Sequence, residues 1–159
     1  MRTQPFSLGA RDLEASDGKP RVLLAEDDAA FRATMSLLLQ ADGYDVVEAA
    51  DGSEALDALV LALSARESLQ DFDIIVSDVR MPGFSGMDVL RALQGIPEAP
   101  PLILMTAFGG ADTRRDADRL GAATVLNKPF DLDELRAAVT QALECRTARV
   151  KDRKSAAGS

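Results

Sequence analysis

The feature that most constrains this chain is a fivefold alternation. Five short apolar runs of four to six residues, VLLA (22–25), YDVVEA (44–49), DIIVSD (73–78), LILMTA (102–107) and ATVLNK (123–128), are each followed by a stretch that can form a helix. Phe31, Met35, Leu38 and Leu39 recur at helical spacing, and Gly43 then offers a stop. Ser53 is placed to cap a second helix with an apolar face of Leu56, Leu59, Val60 and Leu63. Ser85 with Asp88 opens a third through Met87, Leu90 and Leu93, and residues 111–120 suit a fourth that ends at Gly121. Asp131 and Glu134 have capping-box spacing, Phe130 and Leu135 staple spacing, and Leu135, Val139 and Leu143 continue as one stripe. The first, third and fourth runs are nearly all apolar, as strands are when helices cover both faces of a parallel sheet. With right-handed crossovers, the expected fold is a doubly wound α/β sheet of five parallel strands and five helices, flavodoxin-like, in the order 2-1-3-4-5.

Residues 1–20 read as a flexible N-terminal extension, 21–147 as one domain, and 148–159 as a loose, polar and basic tail. LALSARESLQDFD, before the third strand, predicts an extended second helix or a longer loop.

Ligands of such sheets bind beyond the carboxyl ends of the strands. There the chain places Glu26-Asp27-Asp28 after strand one, Asp78 after strand three, Thr106 after strand four and Lys128 after strand five. Strands one and three are neighbours in the expected order, so their carboxylates share a pocket. Carboxylates so close repel unless a proton or cation intervenes, and a hard divalent ion such as Mg²⁺ is the natural partner for oxygen ligands. Lys128 is set apart by its context: the other three lysines, at 19, 151 and 154, lie toward the ends.

Composition excludes several chemistries. The chain has no histidine, which removes histidine triads, histidine general bases and histidine zinc sites. It has no tryptophan and one tyrosine, and its net charge is -8, so stacking on bases and direct DNA binding are not expected. One cysteine, no signal-like segment and no long apolar run lead to the expectation of a cytoplasmic protein without a membrane span.

The pieces VLLAEDDAAFR, DIIVSDVRMPGFSGMDVL, LILMTA and VLNKPFDLDEL, in this order over about 21–147, resemble the receiver domain of two-component response regulators. The resemblance implies that Asp78 is the phospho-acceptor, and that Glu26, Asp27, Asp78 and the backbone carbonyl of Arg80 hold Mg²⁺. It implies that Thr106 is the switch hydroxyl and Lys128 the phosphate-binding lysine, with a cis bond to Pro129. Asp28 then lies outside the acidic pair and is expected to cap the first helix. The implied partners are a sensor histidine kinase or histidine phosphotransfer protein upstream and a protein target downstream. The chain would catalyse only its own phosphorylation and dephosphorylation.

One departure bears on the output. The family's switch aromatic falls at Val125, so an aromatic rotamer coupled to Thr106 is missing, and Phe108 is the nearby source of bulk. That leaves an alternative: a pseudoreceiver that binds proteins without phosphorylation. A Mg²⁺-dependent phosphatase with an aspartyl intermediate would want a second acid two residues after Asp78, where Arg80 stands. The dozen or so residues after the last helix are too few for a DNA-binding domain, so the expectation is a stand-alone receiver or a fragment of a longer regulator.

Overall fold

The computed structural model describes residues 18–66, 72–107 and 109–158, and of 65 and 66 the backbone alone. Most of the expected extension (1–17), part of the long stretch before strand three (67–71) and Phe108 lie outside the described residues.

The elements alternate as β1 (Arg21–Ala25), α1 (Ala29–Ala41), β2 (Asp45–Ala49), α2 (Gly52–Arg66), β3 (Ile74–Asp78), α3 (Gly86–Ala92), β4 (Leu102–Thr106), α4 (Ala111–Arg119), β5 (Thr124–Asn127) and α5 (Leu132–Ala157). The strands form one parallel sheet in the order β2-β1-β3-β4-β5, the expected order. Every residue of β1, β3 and β4 is buried, because both faces of the sheet are covered. Alternate residues serve opposite faces. Leu23, Ile75, Leu102 and Leu104 pack with α2, α3 and the Ala117 side of α4. Val22, Leu24, Ile74, Val76, Ile103 and Met105 pack with Met35 and Leu39 of α1 and Leu135 and Val139 of α5.

Helix starts depend on local hydrogen bonds. Asp28 Oδ1 accepts from Phe31 N at 3.0 Å and so caps α1 as expected. α3 begins with a complete capping box: Ser85 Oγ accepts from Asp88 N at 3.1 Å, and Asp88 Oδ2 accepts from Ser85 N at 2.9 Å. Gly86 is required here, because a Cβ at that position would collide with the backbone oxygen of Asp78.

Four expectations are corrected. The cap of α2 is Asp51, whose Oδ1 accepts from Glu54 N at 2.8 Å, because Ser53 already lies inside the helix. The buried face of α2 is Ala55, Ala58, Leu59 and Ala62 rather than Leu56, Leu59, Val60 and Leu63; small side chains let the helix lie close on the sheet, and Val60 and Leu63 face outward. Asp131 makes no side-chain cap bond on α5, although the staple partners Phe130 and Leu135 do share one apolar cluster. Finally, residues 148–157 are not a loose tail: α5 runs unbroken through them to Ala157. This segment, ARVKDRKSAA, contains no glycine or proline, so polarity alone gives the helix no reason to stop.

At the base of the sheet an ionic clasp ties α5 to β1 and β3. Arg146 Nη1 donates to Phe72 O at 2.9 Å and to Asp73 Oδ1 at 3.3 Å, while Asp73 Oδ2 accepts from Arg21 N at 2.8 Å.

The capping box gives a test. Hydrogen bonds from Ser85 lower the Asp88 carboxyl below its ordinary 3.8. Its stabilisation is therefore present above that pH and lost as pH falls. Ser85→Ala is expected to cost about 1 kcal/mol in urea unfolding at neutral pH, with a smaller cost below pH 3.8.

Candidate functional site

The carboxyl ends of β1, β3 and β5 bring Glu26, Asp27, Asp78 and Lys128 into one pocket. β1 and β3 are paired with Ala25 opposite Ser77, so the residues that follow them emerge side by side. Lys128 Nζ donates to Asp78 Oδ2 at 2.7 Å and to Glu26 Oε2 at 2.9 Å. The side chains of Glu26 and Asp78 are 1% and 9% exposed, and that of Lys128 is 22% exposed. Asp27 faces solvent at the mouth. One carboxylate oxygen from each of Glu26, Asp27 and Asp78 lies within 4.8 Å of the others.

Backbone groups set the acids. Arg80 N donates to Asp78 Oδ1 at 3.1 Å, and Asp28 N donates to Glu26 Oε1 at 3.2 Å. Arg32 Nη1 donates to the Glu26 carbonyl at 2.7 Å and its Nε lies 3.3 Å from Glu48 Oε1, pinning the turn after β1. Phe31 lies under the ammonium, 5.1 Å from ring centroid to Lys128 Nζ. Phe31 reads in the sequence only as a core position of α1; its cation contact needed the strand order to be known.

Thr106 is buried at the end of β4, and its carbonyl accepts from Lys128 N at 2.7 Å. The Lys128–Pro129 peptide is cis, as the resemblance implied. Val125 pairs with Leu104 and packs, half-buried, in the apolar cluster. Two residues on, Asn127 pairs with Thr106. Gly109 fits against both: a Cβ there would sit 2.7 Å from Thr106 Cγ2 and 2.6 Å from Asn127 Oδ1. The tight fit of Gly109 over Thr106 is a tertiary fact.

The electrostatics favour a cation. Three carboxylates face one ammonium, which leaves two negative charges unmatched. Burial, then the neighbouring Asp78 charge, pushes the Glu26 carboxyl up to about 7, even though Lys128 and the Asp28 N–H pull it down. Burial opposes the charge on Lys128, but its bonds to Asp78 and Glu26 outweigh that and raise its pKa. A divalent oxygen-seeking ion matches both the donor set and the missing charge.

An α/β sheet of this order, with an acid–lysine pocket at its switch point, has the architecture of a CheY-like receiver. The chain belongs to the response regulator receiver domain family, which matches residues 22–140. It is 32% identical over 123 residues to sporulation initiation phosphotransferase F of Bacillus subtilis, covering 77% of this chain and 93% of that protein. It is 35% identical over 125 residues to transcriptional regulatory protein FixJ of Bradyrhizobium diazoefficiens, covering 79% of this chain but 57% of FixJ. It spans only 27% of the transcriptional regulatory protein ZraR of Salmonella typhimurium. A response regulator receiver domain of Methanospirillum hungatei superposes with a TM-score of 0.72 at 21% identity, over 82% of this chain and 98% of that one. The chemotaxis response regulator CheY4 of Vibrio cholerae superposes with a TM-score of 0.65 at 32% identity, over 78% of this chain and 98% of that one. Among the described residues no helix is long and apolar enough to cross a membrane.

The raised Glu26 carboxyl makes a metal-free prediction. A group that binds its proton more tightly when folded stabilises the fold most at low pH. With chelator present, the melting temperature is expected to fall by a few degrees as pH rises from 4.5 through about 7. Glu26→Gln should flatten that slope in a thermal melt; an unchanged slope would place its origin elsewhere.

Proposed function

We propose that this chain is a phosphorelay receiver: Asp78 accepts a phosphoryl group from a phosphohistidine on a sensor histidine kinase or histidine phosphotransfer protein. The observation that carries the reading is the position of Asp78, nearly buried at the end of β3 with Lys128 Nζ 2.7 Å from Oδ2. These 159 residues contain no histidine, so the donor lies outside them. An Asp78 carboxylate oxygen bonds to phosphorus as the P–N bond to the donor imidazole breaks. The imidazole leaves with that electron pair and is then protonated, and Asp78 becomes an acyl phosphate. Lys128 holds the acid in place beforehand and offsets charge on the phosphoryl oxygens afterwards. The Thr106 hydroxyl donates to the phosphoryl group once it is formed.

Glu26, Asp27, Asp78 and the Arg80 carbonyl would hold Mg²⁺. Bound there, the ion supplies the positive charge that the pocket lacks. Water ends the signal by attacking phosphorus: the acyl O–P bond breaks, inorganic phosphate leaves and the Asp78 carboxylate is regenerated, so the chain turns over only its own phosphate. Arg80 stands where a phosphatase would need a second acid, which supports the receiver over the enzyme. The signal is read as a change in the face of α4, β5 and α5, taken up by a protein target in the cytoplasm. The net charge of -8 supports a protein target over direct DNA contact.

Intact mass after incubation with acetyl phosphate and Mg²⁺ tests the reading. Wild type is expected to gain one phosphoryl group and Asp78→Asn none; no gain on wild type would refute it. Mg²⁺ at saturating concentration should raise the melting temperature of wild type, and Asp27→Asn should lose most of that rise. A pseudoreceiver is the second reading, and Val125 favours it, since an aliphatic side chain cannot make the aromatic swing that would follow Thr106. Under that reading, target capture by wild type and Asp78→Asn is equal with and without acetyl phosphate.

A further inference from the structure

The Lys128 ammonium touches two acids and one ring. Asp78 Oδ2 lies at 2.7 Å and Glu26 Oε2 at 2.9 Å, and Nζ stands over the face of Phe31, 5.1 Å from its centroid. On the receiver reading both acids have other work: Asp78 bonds to phosphorus, and Glu26 serves the cation. The ring alone has no other duty in the pocket. It is also held in place. Phe31 N donates to Asp28 Oδ1 at 3.0 Å, which fixes the first turn of α1. The next residue, Arg32, donates to the Glu26 carbonyl at 2.7 Å. The ring packs against Phe130, with centroids 5.8 Å apart and planes tilted by 55°, and both rings join the apolar cluster between the sheet, α1 and α5. Phe31 is half-buried, so its ring is wedged between that cluster and the lysine.

A neutral aromatic face suits this place better than any other kind of partner. Three carboxylates already oppose one ammonium, and another acid at position 31 would deepen the excess of negative charge. A hydroxyl or amide would bring an oxygen that a hard cation could take from the acids. An aliphatic side chain would cover the ammonium without attracting it. The face of a benzene ring attracts the ammonium, adds no charge and ligates no hard ion. We propose that Phe31 is a positioning residue for phosphoryl transfer at Asp78: its ring face anchors the Lys128 ammonium beside Asp78 while the acids change partners. The proposal rests on the receiver reading, and the bonds made and broken are those given there; the ring takes no part in them. Lysine has a long, flexible stem, and a head group released by two carboxylates would drift toward solvent. Anchored by the ring, the head group only turns to meet a phosphoryl oxygen, and its ordering is complete before the group arrives.

Fluorination of the ring tests this, because it drains negative charge from the face and nearly keeps the volume, so the fold is not at risk. Phenylalanines with one, two and three ring fluorines are installed at position 31 by nonsense suppression in the full chain. The rate of phosphoryl gain is followed by intact mass, with acetyl phosphate below saturation and Mg²⁺ in excess. The rate is expected to fall stepwise with each fluorine. Phe31→Leu should lower it by about three- to tenfold, and Phe31→Tyr, which keeps an aromatic face, should recover most of that loss. A second readout needs neither metal nor phosphate. With chelator present, the ring current should shift the ε-methylene protons of Lys128 upfield of those of Lys19, Lys151 and Lys154, and Phe31→Leu should abolish the shift. A rate that drops in Phe31→Leu but stays level across the fluorinated series would make Phe31 a packing residue and overturn the proposal. A Lys128 methylene without the upfield shift would overturn it too. Wild type that gains no phosphoryl group would sink the receiver reading and this role with it, whereas a level fluorinated series on a chain that does gain one sinks this role alone.

Discussion

The structure turns on one ammonium group placed between two buried carboxylates. Lys128 reaches from the end of β5 across β4 to Asp78 and Glu26. Without it, acids from adjacent parallel strands would stand together at the sheet edge with nothing to offset them. With it, the pocket is held but not neutral, since Asp27 and one further charge remain. This deficit links the fold to its chemistry. The sheet order forces the acids together, the lysine makes the arrangement tolerable, and the residual charge leaves a place for a cation.

Much of this was legible in the sequence because the signals were redundant. Five apolar runs gave the strands, and polar residues at their carboxyl ends gave the pocket. The order 2-1-3-4-5 followed from the family pattern and a parallel-sheet rule, and the register then brought Glu26 beside Asp78. Less was legible where one signal stood alone. Ser53 and Asp51 are both good caps, and only the hydrogen bond to Glu54 N decides between them. Val60 and Leu63 are more apolar than Ala55 and Ala62, yet α2 turns its alanines inward because close approach to the sheet outweighs side-chain size. The polar end of α5 looked loose because polarity was read as disorder, although helix propensity there is ordinary. Phe31 was visible only as a helix-face residue, because its contact with Lys128 crosses between elements.

The two sides of the pocket differ in how firmly they are built. On one side α3 is fastened to the end of β3. Its capping box is complete, Gly86 N donates to Val79 O at 3.0 Å, and Gly86 has no room for a Cβ against Asp78 O. On the other side α4 begins at Gly110 without a side-chain cap bond and buries only Ala117.

That asymmetry gives the domain a direction. α3 has a full set of fastenings to the end of β3, whereas α4 is held at its start by backbone bonds and buries one alanine. On the proposed reading, in which Asp78 is phosphorylated, α4 would be the flank that yields and α3 the one that stays fixed.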